Sequence, residues 1–324
     1  MSKVAVYLTN FNNEKHIGKA IESVLRQVNV DFHLYIFDNH STDGAPNIIA
    51  QYAAQDQRIT VVAIPQGLAG IGLMAFAWDY IAAQQNYDYS ITLGGHDIWA
   101  TPQHLEALVT RAEVERNAGQ RVALVYCDTF QLNEEDQVIG RFLNHLQQAG
   151  NMGRPFVPQW VMSGIDCPPF FGLWNEEVRR QIPVRHQCAG WDHMVVIHAS
   201  VRGAILYEPQ ARLAMRAPPP GDGLDKYGKR HFTPAQLQMG TRDFFNQLEW
   251  LNVCIDEACS GLGEERDFHR AMLTTSMFST YLLLRGYNMH VFPGAMEAFN
   301  ANPLARKAVQ QCIEAAEAVR SLTA

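Results

Sequence analysis

The segment VAVYLTNFNNEKHIGKAIESVLRQVNVDFHLYIFDN, residues 4–39, decides the fold. Val4–Thr9 is a short apolar run of strand length. From Glu14 to Arg26 the period changes, and Ile17, Ala20, Ile21, Val24 and Leu25 fall on one face of a helix. A second strand follows at Phe32–Phe37. It stops in Asp38-Asn39-His40-Ser41-Thr42-Asp43-Gly44, a cluster of turn formers that can also cap the next helix.

The same rhythm continues through the first half. A helix to about Gln55 precedes a third strand at Ile59–Ile64, a helix over 70–85 precedes a fourth at 88–93, and a helix over 102–117 precedes a strand at 121–126. This alternation predicts an α/β fold with a mostly parallel sheet flanked by helices. Such sheets bind ligands beyond the carboxyl ends of their strands. Asn10, Asp38 and Asp97 all fall at such ends.

Beyond residue 127 the rhythm breaks. Asn133–Asp136 reads as a hairpin tip, Phe170-Phe171-Gly172 as a strand, Asn175 as the start of a short helix, 191–201 as helix and Ala204–Tyr207 as strand. Ala217-Pro218-Pro219-Pro220 marks a boundary, because consecutive prolines exclude regular helix. Residues 1–216 are expected to form the ligand-binding domain. Residues 217–324 are expected to form a mainly helical C-terminal extension, a candidate homodimer contact.

Composition narrows the class. The chain has 324 residues, 47% of them apolar and 18% charged, which is globular and large enough for a sizeable core. A net charge of −7 argues against broad binding of nucleic acid or anionic membranes, while leaving room for a local basic pocket. The six cysteines are scattered, with no C-x-x-C pair, as expected of free thiols in a reducing compartment. MSKVAVYLTN runs directly into a strand pattern, so no signal peptide is expected, and no apolar run reaches the ~18–20 residues of a membrane span. The expected location is cytoplasmic, with peripheral attachment to the inner face of a membrane left open.

TLGGHDIWATP, residues 92–102, bares the backbone at a strand end and then sets His96 beside Asp97. Glycines there let another group approach closely, and a carboxylate offers a hard oxygen ligand for Mg²⁺ or Mn²⁺. His96 either ligates such a metal or orients Asp97. A purely structural account has Asp97 cap the helix over 102–117 or a nearby loop. Gly67-x-x-Gly70-x-Gly72 can present N–H groups to phosphate or simply start a helix.

Five stretches in order carry a resemblance: VAVYLTNFNNEKHIGKAIESVLRQ (4–27), FHLYIFDNHSTDG (32–44), RITVVAIPQGLAG (58–70), GGHDIWATPQHLE (94–106) and GWDHMVVIHASVRGAILYEPQARLAMR (190–216). Together they resemble glycosyltransferase family 2, inverting enzymes with the GT-A fold, over about residues 3–216. The resemblance implies transfer of a sugar from a nucleoside-diphosphate sugar to an acceptor hydroxyl of a glycan or small molecule. It implies a donor site of Thr9, Asn10, Asp38, Asn39, Gly67, Gly95 and His96, with Arg212 or Arg216 near the diphosphate. It also implies Asp97 as ligand to Mn²⁺ or Mg²⁺, and Asp192 as general base. The chain departs from the pattern where Gly94 and Gly95 replace carboxylates, where Ile98 stands for a second Asp, and where Gln66 stands for Asn.

The residues themselves bear on the base. Asp192 sits in Gly-Trp-Asp-His at the start of a predicted helix, where it either caps the helix or acts as base. Glu176 and Glu177 are expected on a charged helical surface, and Glu208 ends a strand before Pro209. His186, His193 and His198 read as core or surface histidines. Trp160, Phe170, Phe171, Trp174 and Trp191 divide between core and an acceptor wall. Two other classes compete. A nucleotidyltransferase normally carries a Gly-rich stretch with Lys or Arg after the first strand, which Thr9-Asn10-Phe11-Asn12 lacks. A non-catalytic relative that only binds a nucleotide sugar fits the missing carboxylates at 94, 95 and 98.

Overall fold

The computed structural model describes residues 2–141 apart from 69, residues 168–182 and 202–216, and isolated positions 192, 195, 196, 199 and 310. The predicted boundary at 217 and the helical extension lie outside the described residues. So do His186, His193, His198, Trp160, Trp191 and every cysteine except Cys127, a buried free thiol.

The predicted alternation is present. The elements run β1 (Lys3–Asn10), α1 (Ile17–Leu25), β2 (Asp31–Asp38), α2 (Ala45–Gln55), β3 (Ile59–Val61), α3 (Gly70–Ala83), β4 (Tyr89–Gly94), β5 (Ile98–Trp99) and α4 (His104–Asn117). After these come β6 (Val122–Leu132), β7 (Val138–Arg141), β8 (Leu173–Asn175), α5 (Glu176–Arg179) and β9 (Ala204–Arg216). They form one sheet in the order β3-β2-β1-β4-β8-β6-β9-β5, with β7 added to β6. β1 pairs in parallel with β2 and β4, β2 with β3, and β6 with β9. β8 runs antiparallel to both β4 and β6, so those two point the same way.

Alternation along β1 explains the layers. Val4, Val6 and Leu8 face α1, α2 and α4, packing with Ile17, Ile21, Ile49, Leu105 and Leu108. Ala5 and Tyr7 face α3, packing with Leu73, Ala77 and Ile81. A period-2 strand thus feeds two cores at once. No helix among the described residues is long and apolar enough to cross a membrane.

The structure corrects three local expectations. Phe170-Phe171 lies in a 3-10 turn, and the strand begins after it at Leu173. The strand expected to stop at Tyr207 continues to Arg216. Its register against β6 skips from Cys127↔Glu208 to Asp128↔Arg212, so Pro209 falls in a bulge, where a strand tolerates the missing N–H. Of the aromatic set, Phe170 and Trp174 fall on the core side of the expected division, packed with Trp78. Finally, Glu176 is fully buried, whereas Glu177 is exposed as expected.

Glu176 is buried because Arg179 is buried with it. Arg179 Nε and Nη2 donate to Glu176 Oε1 at 2.5 Å and Oε2 at 3.1 Å, and Nη1 donates to the Trp78 carbonyl at 2.9 Å. The guanidinium lies 4.5 Å from the Trp78 ring centroid, which fastens α5 to α3. Losing one partner of such a pair strands the other charge, at about 3–5 kcal/mol. Arg179→Ala is therefore expected to lower unfolding free energy by about that amount in urea titration. A loss within experimental error would show that the pair is not held as drawn.

Candidate functional site

The carboxyl ends of β2, β1 and β4 stand side by side, with Asn10 opposite Asp38 and Thr9 opposite Gly94. Asn10 is buried at the centre. Its Nδ2 donates to Asp38 Oδ1 at 2.7 Å and Ser41 Oγ at 3.2 Å, and its Oδ1 accepts from Asn13 Nδ2 at 3.1 Å. Asp38 is half-buried and shapes its own turn, accepting Ser41 N at 3.0 Å and Ser41 Oγ at 2.6 Å. A carboxylate offers about four lone-pair directions, so these bonds leave it acceptor capacity toward a ligand. Thr9 contributes its carbonyl, which accepts Gly95 N at 2.8 Å, while its hydroxyl meets Met74 Sδ at 3.3 Å.

Asn39 does something different from direct ligand contact. Its Oδ1 accepts Leu68 N at 2.8 Å and its Nδ2 donates to Leu68 O at 2.5 Å, so both ends of the amide hold the main chain of one residue. His40 Nε2 lies 3.0 Å from the Ile64 carbonyl. These two residues pin the loop that carries Gly67. Gly67 itself is exposed, and a Cβ there would meet no atom within 4 Å.

The glycines of the 94–97 turn admit the protein's own side chains. A Cβ on Gly95 would lie 2.4 Å from Asn10 Oδ1, and one on Gly94 would lie 2.6 Å from Asp97 Oδ2. Asp97 is only 2% exposed. Its Oδ1 accepts Arg216 N at 2.9 Å, and the half-exposed His96 places Nε2 at 3.5 Å. Asp97 does not cap α4, whose first turn is preceded by Gln103 with no side-chain cap. Burial pushes the Asp97 carboxyl above the ordinary range, and nearby His96 and Arg216 oppose that only in part.

Arg216 and Arg212 part company. Arg216 reaches the cleft through its main chain, but its guanidinium is engaged elsewhere, with His96 O, Asn133 O and Asp136. Arg212 stands four residues earlier on β9, roughly 13 Å away along the strand, exposed and 6.0 Å from the Phe130 ring centroid. The structure does not bring Arg212 to Asp97. Asp192 is half-buried in helix and shares a face with the fully buried Val195, Val196 and Ala199. The sequence missed the hairpin tip as a partner of Arg216. The only signal was the acidic run Asn133-Glu134-Glu135-Asp136 itself.

Among the described residues no three His, Cys, Asp or Glu side chains cluster as a ready-made metal cage. A single hard oxygen ligand at a strand end still fits Mg²⁺ or Mn²⁺, which take one or two carboxylates and complete their shell with substrate phosphates and water. Asp97 Oδ2, cradled by Gly94, is the donor that fits.

The Asp97 shift has a sign that can be measured. An unfolded aspartate titrates near about 3.9. The folded one titrates higher, so stability falls as pH rises through that window and stays reduced above it. Asp97→Asn keeps an acceptor for Arg216 N and removes the buried charge. It is expected to melt above wild type near neutral pH and to converge with it near about pH 4. A variant that melts lower at neutral pH would show that the charge is compensated in the fold.

Residues 5–165 match the model of Glycosyl transferase family 2. An uncharacterized glycosyltransferase of Nostoc sp. is 30% identical over 109 residues, 33% of this chain and 32% of that protein. EpsH of Bacillus subtilis, which carries a glycosyltransferase name, is 26% identical over 129 residues, 39% of this chain and 33% of that protein. The chain thus spans about a third of the length of these relatives. Among solved structures, S. aureus TarS 1-349 aligns over 98% of this chain and 90% of its own, with TM-score 0.61 and 13% identity. The mannosyltransferase PcManGT of Pyrobaculum calidifontis, in complex with GDP-Man and Mn²⁺, aligns over 96% and 87%, with TM-score 0.53 and 12% identity. At such identities the likeness is one of fold. The curled, mostly parallel sheet is that of GT-A glycosyltransferases, and residues 5–165, just under half of the chain, match glycosyl transferase family 2.

Proposed function

We propose that the chain transfers a sugar from a nucleoside-diphosphate sugar to an acceptor hydroxyl of a glycan or small molecule, with inversion at the anomeric carbon. The observation that carries this reading is the convergence of Asp38, Asn10 and Asp97 at the carboxyl ends of three adjacent parallel strands. Two structures of the same fold lend support: TarS 1-349 was solved with UDP-GlcNAc, and PcManGT with GDP-Man and Mn²⁺.

In this reading Asp38, fixed by Asn10 and Ser41, accepts hydrogen bonds from the nucleoside. Asn39 acts one step back by holding the Gly67 loop beside it. Asp97, with His96 at its exposed side, would hold Mn²⁺ or Mg²⁺ against the diphosphate. Such a cation stabilises the negative charge that grows on the leaving group. Asp192 is the general base that takes the proton from the acceptor hydroxyl as it attacks the face opposite the diphosphate. It is half-buried and helical, in a segment where Val195, Val196 and Ala199 are fully buried.

Three measurements test the reading. Calorimetric titration with UDP and with GDP, each with and without Mn²⁺, is expected to show nucleotide binding that the metal strengthens. Asp97→Ala should lose the metal-dependent part, about one to two decades for a charge-assisted contact of ~1.5–3 kcal/mol. In a transfer assay, Asp192→Asn should bind donor as wild type does yet turn over roughly 10²–10⁴-fold more slowly. NMR of the product should show the inverted anomer. Nucleotide binding with no transfer to any hydroxyl acceptor would favour a non-catalytic binder. Near-normal turnover by Asp192→Asn would exclude that residue as base.

A further inference from the structure

Arg216 carries an arrangement that the donor-site reading does not use. Its side chain is 3% exposed, and all three guanidinium nitrogens are engaged. Nε donates to the His96 carbonyl at 3.3 Å, Nη1 to the Asn133 carbonyl, and Nη2 to Asp136 Oδ1. Its main-chain N–H meanwhile donates to Asp97 Oδ1 at 2.9 Å. One residue therefore grips the 96–97 turn twice, at a carbonyl and at the neighbouring carboxylate.

Its other grip is on the tip of the β6–β7 hairpin, and that tip is anchored in turn. Asp136, in a left-handed conformation with φ 63°, also pairs with Lys19 on α1. Glu134 lies 3.2 Å from His16 Nε2, just before α1. The β1–α1 segment, the hairpin tip and the 96–97 turn are thus joined through Arg216 and Asp136. With each of its three nitrogens on a protein oxygen and the side chain 3% exposed, the two N–H groups that remain have little access to a phosphate.

We infer that Arg216 is a positioning residue for Asp97, not a ligand of the donor diphosphate, and that Asp136 on the hairpin tip holds it in place. The inference rests on the donor-site reading. If Asp97 meets a divalent cation, the orientation of its carboxylate governs how well it does so. Partners that orient a metal ligand typically contribute about 10–100-fold to metal affinity. Loss of the Arg216–Asp136 contact should therefore weaken the metal-assisted part of nucleotide binding without touching the rest.

The experiment compares wild type, Asp136→Asn, Arg216→Lys and the double variant in calorimetric titrations with UDP and GDP, with and without Mn²⁺. Thermal melts accompany each protein. Asp136→Asn is expected to keep the metal-free nucleotide affinity and to lose about tenfold or more of the Mn²⁺ enhancement. The double variant should lose no more than the worse single variant, because the two residues act through one contact. If Asp136→Asn does not fold, Arg216→Lys alone still decides between the roles. A direct phosphate ligand would show its loss in the metal-free titration. A positioning residue shows it only with Mn²⁺ present. An unchanged Mn²⁺ enhancement in Asp136→Asn, or a metal-free loss in Arg216→Lys, overturns the inference. Absence of nucleotide binding in wild type overturns the donor-site reading, and this inference with it.

Discussion

The site depends on the buried amide of Asn10. A side-chain amide out of water must satisfy its donors and acceptor within the fold, because each group left unpaired costs its full desolvation. Asn10 does so by reaching to Asp38 and Ser41 on one side and Asn13 on the other. It can stand there only because residue 95 has no Cβ. The turn that follows β4, the loop that follows β1 and the turn that follows β2 are thereby set by the same few atoms. The parallel register of three strands supplies the coarse placement, and the amide supplies the fine one.

Charge is managed differently at two of the buried acids, Glu176 and Asp97. Glu176 is matched by a forked guanidinium, which fills both oxygens and turns the pair into a fastener between α5 and α3. Asp97 receives main-chain N–H groups of Arg216 and, more weakly, Gly94, with an imidazole at 3.5 Å, and burial dominates its ionisation. The first arrangement is closed and structural. The second leaves a carboxylate short of positive charge at a strand end, which is a condition that a bound cation would relieve.

Much of this was legible in the sequence, and the failures have physical causes. The β–α rhythm of residues 4–126 speaks through strong periodicity, so the succession of elements on the donor side followed. Asn10, Asp38 and Asp97 were found because a strand end is a position that sequence can locate. β9 was cut short because Glu208-Pro209 looks like a terminus, whereas the sheet absorbs it as a bulge. Glu176 looked exposed because its burial depends on Arg179 and on Trp78, and Trp78 lies nearly a hundred residues away in the chain. Gly94 and Gly95 looked like room for a ligand. The groups that fill that room, Asp97 and Asn10, become neighbours only when the strands align. Arg216 was named through the family resemblance while its strand was expected to stop at Tyr207, and the direction of its long side chain is decided by long-range partners that no local pattern records.

The short link between β4 and β5 has a geometric consequence for the whole sheet. In strand order β4 and β5 stand four steps apart. In a flat sheet that is about 19 Å at the usual strand spacing. The chain joining Gly94 to Ile98 can stretch to roughly 14 Å at most. A flat sheet is therefore impossible for this connection, and the far strands must bend back toward the first. The His96–Asp97 turn acts as the chord of that arc. Its length limits how far the bowl can open, so a residue inserted there would flatten the curvature itself as well as move a side chain.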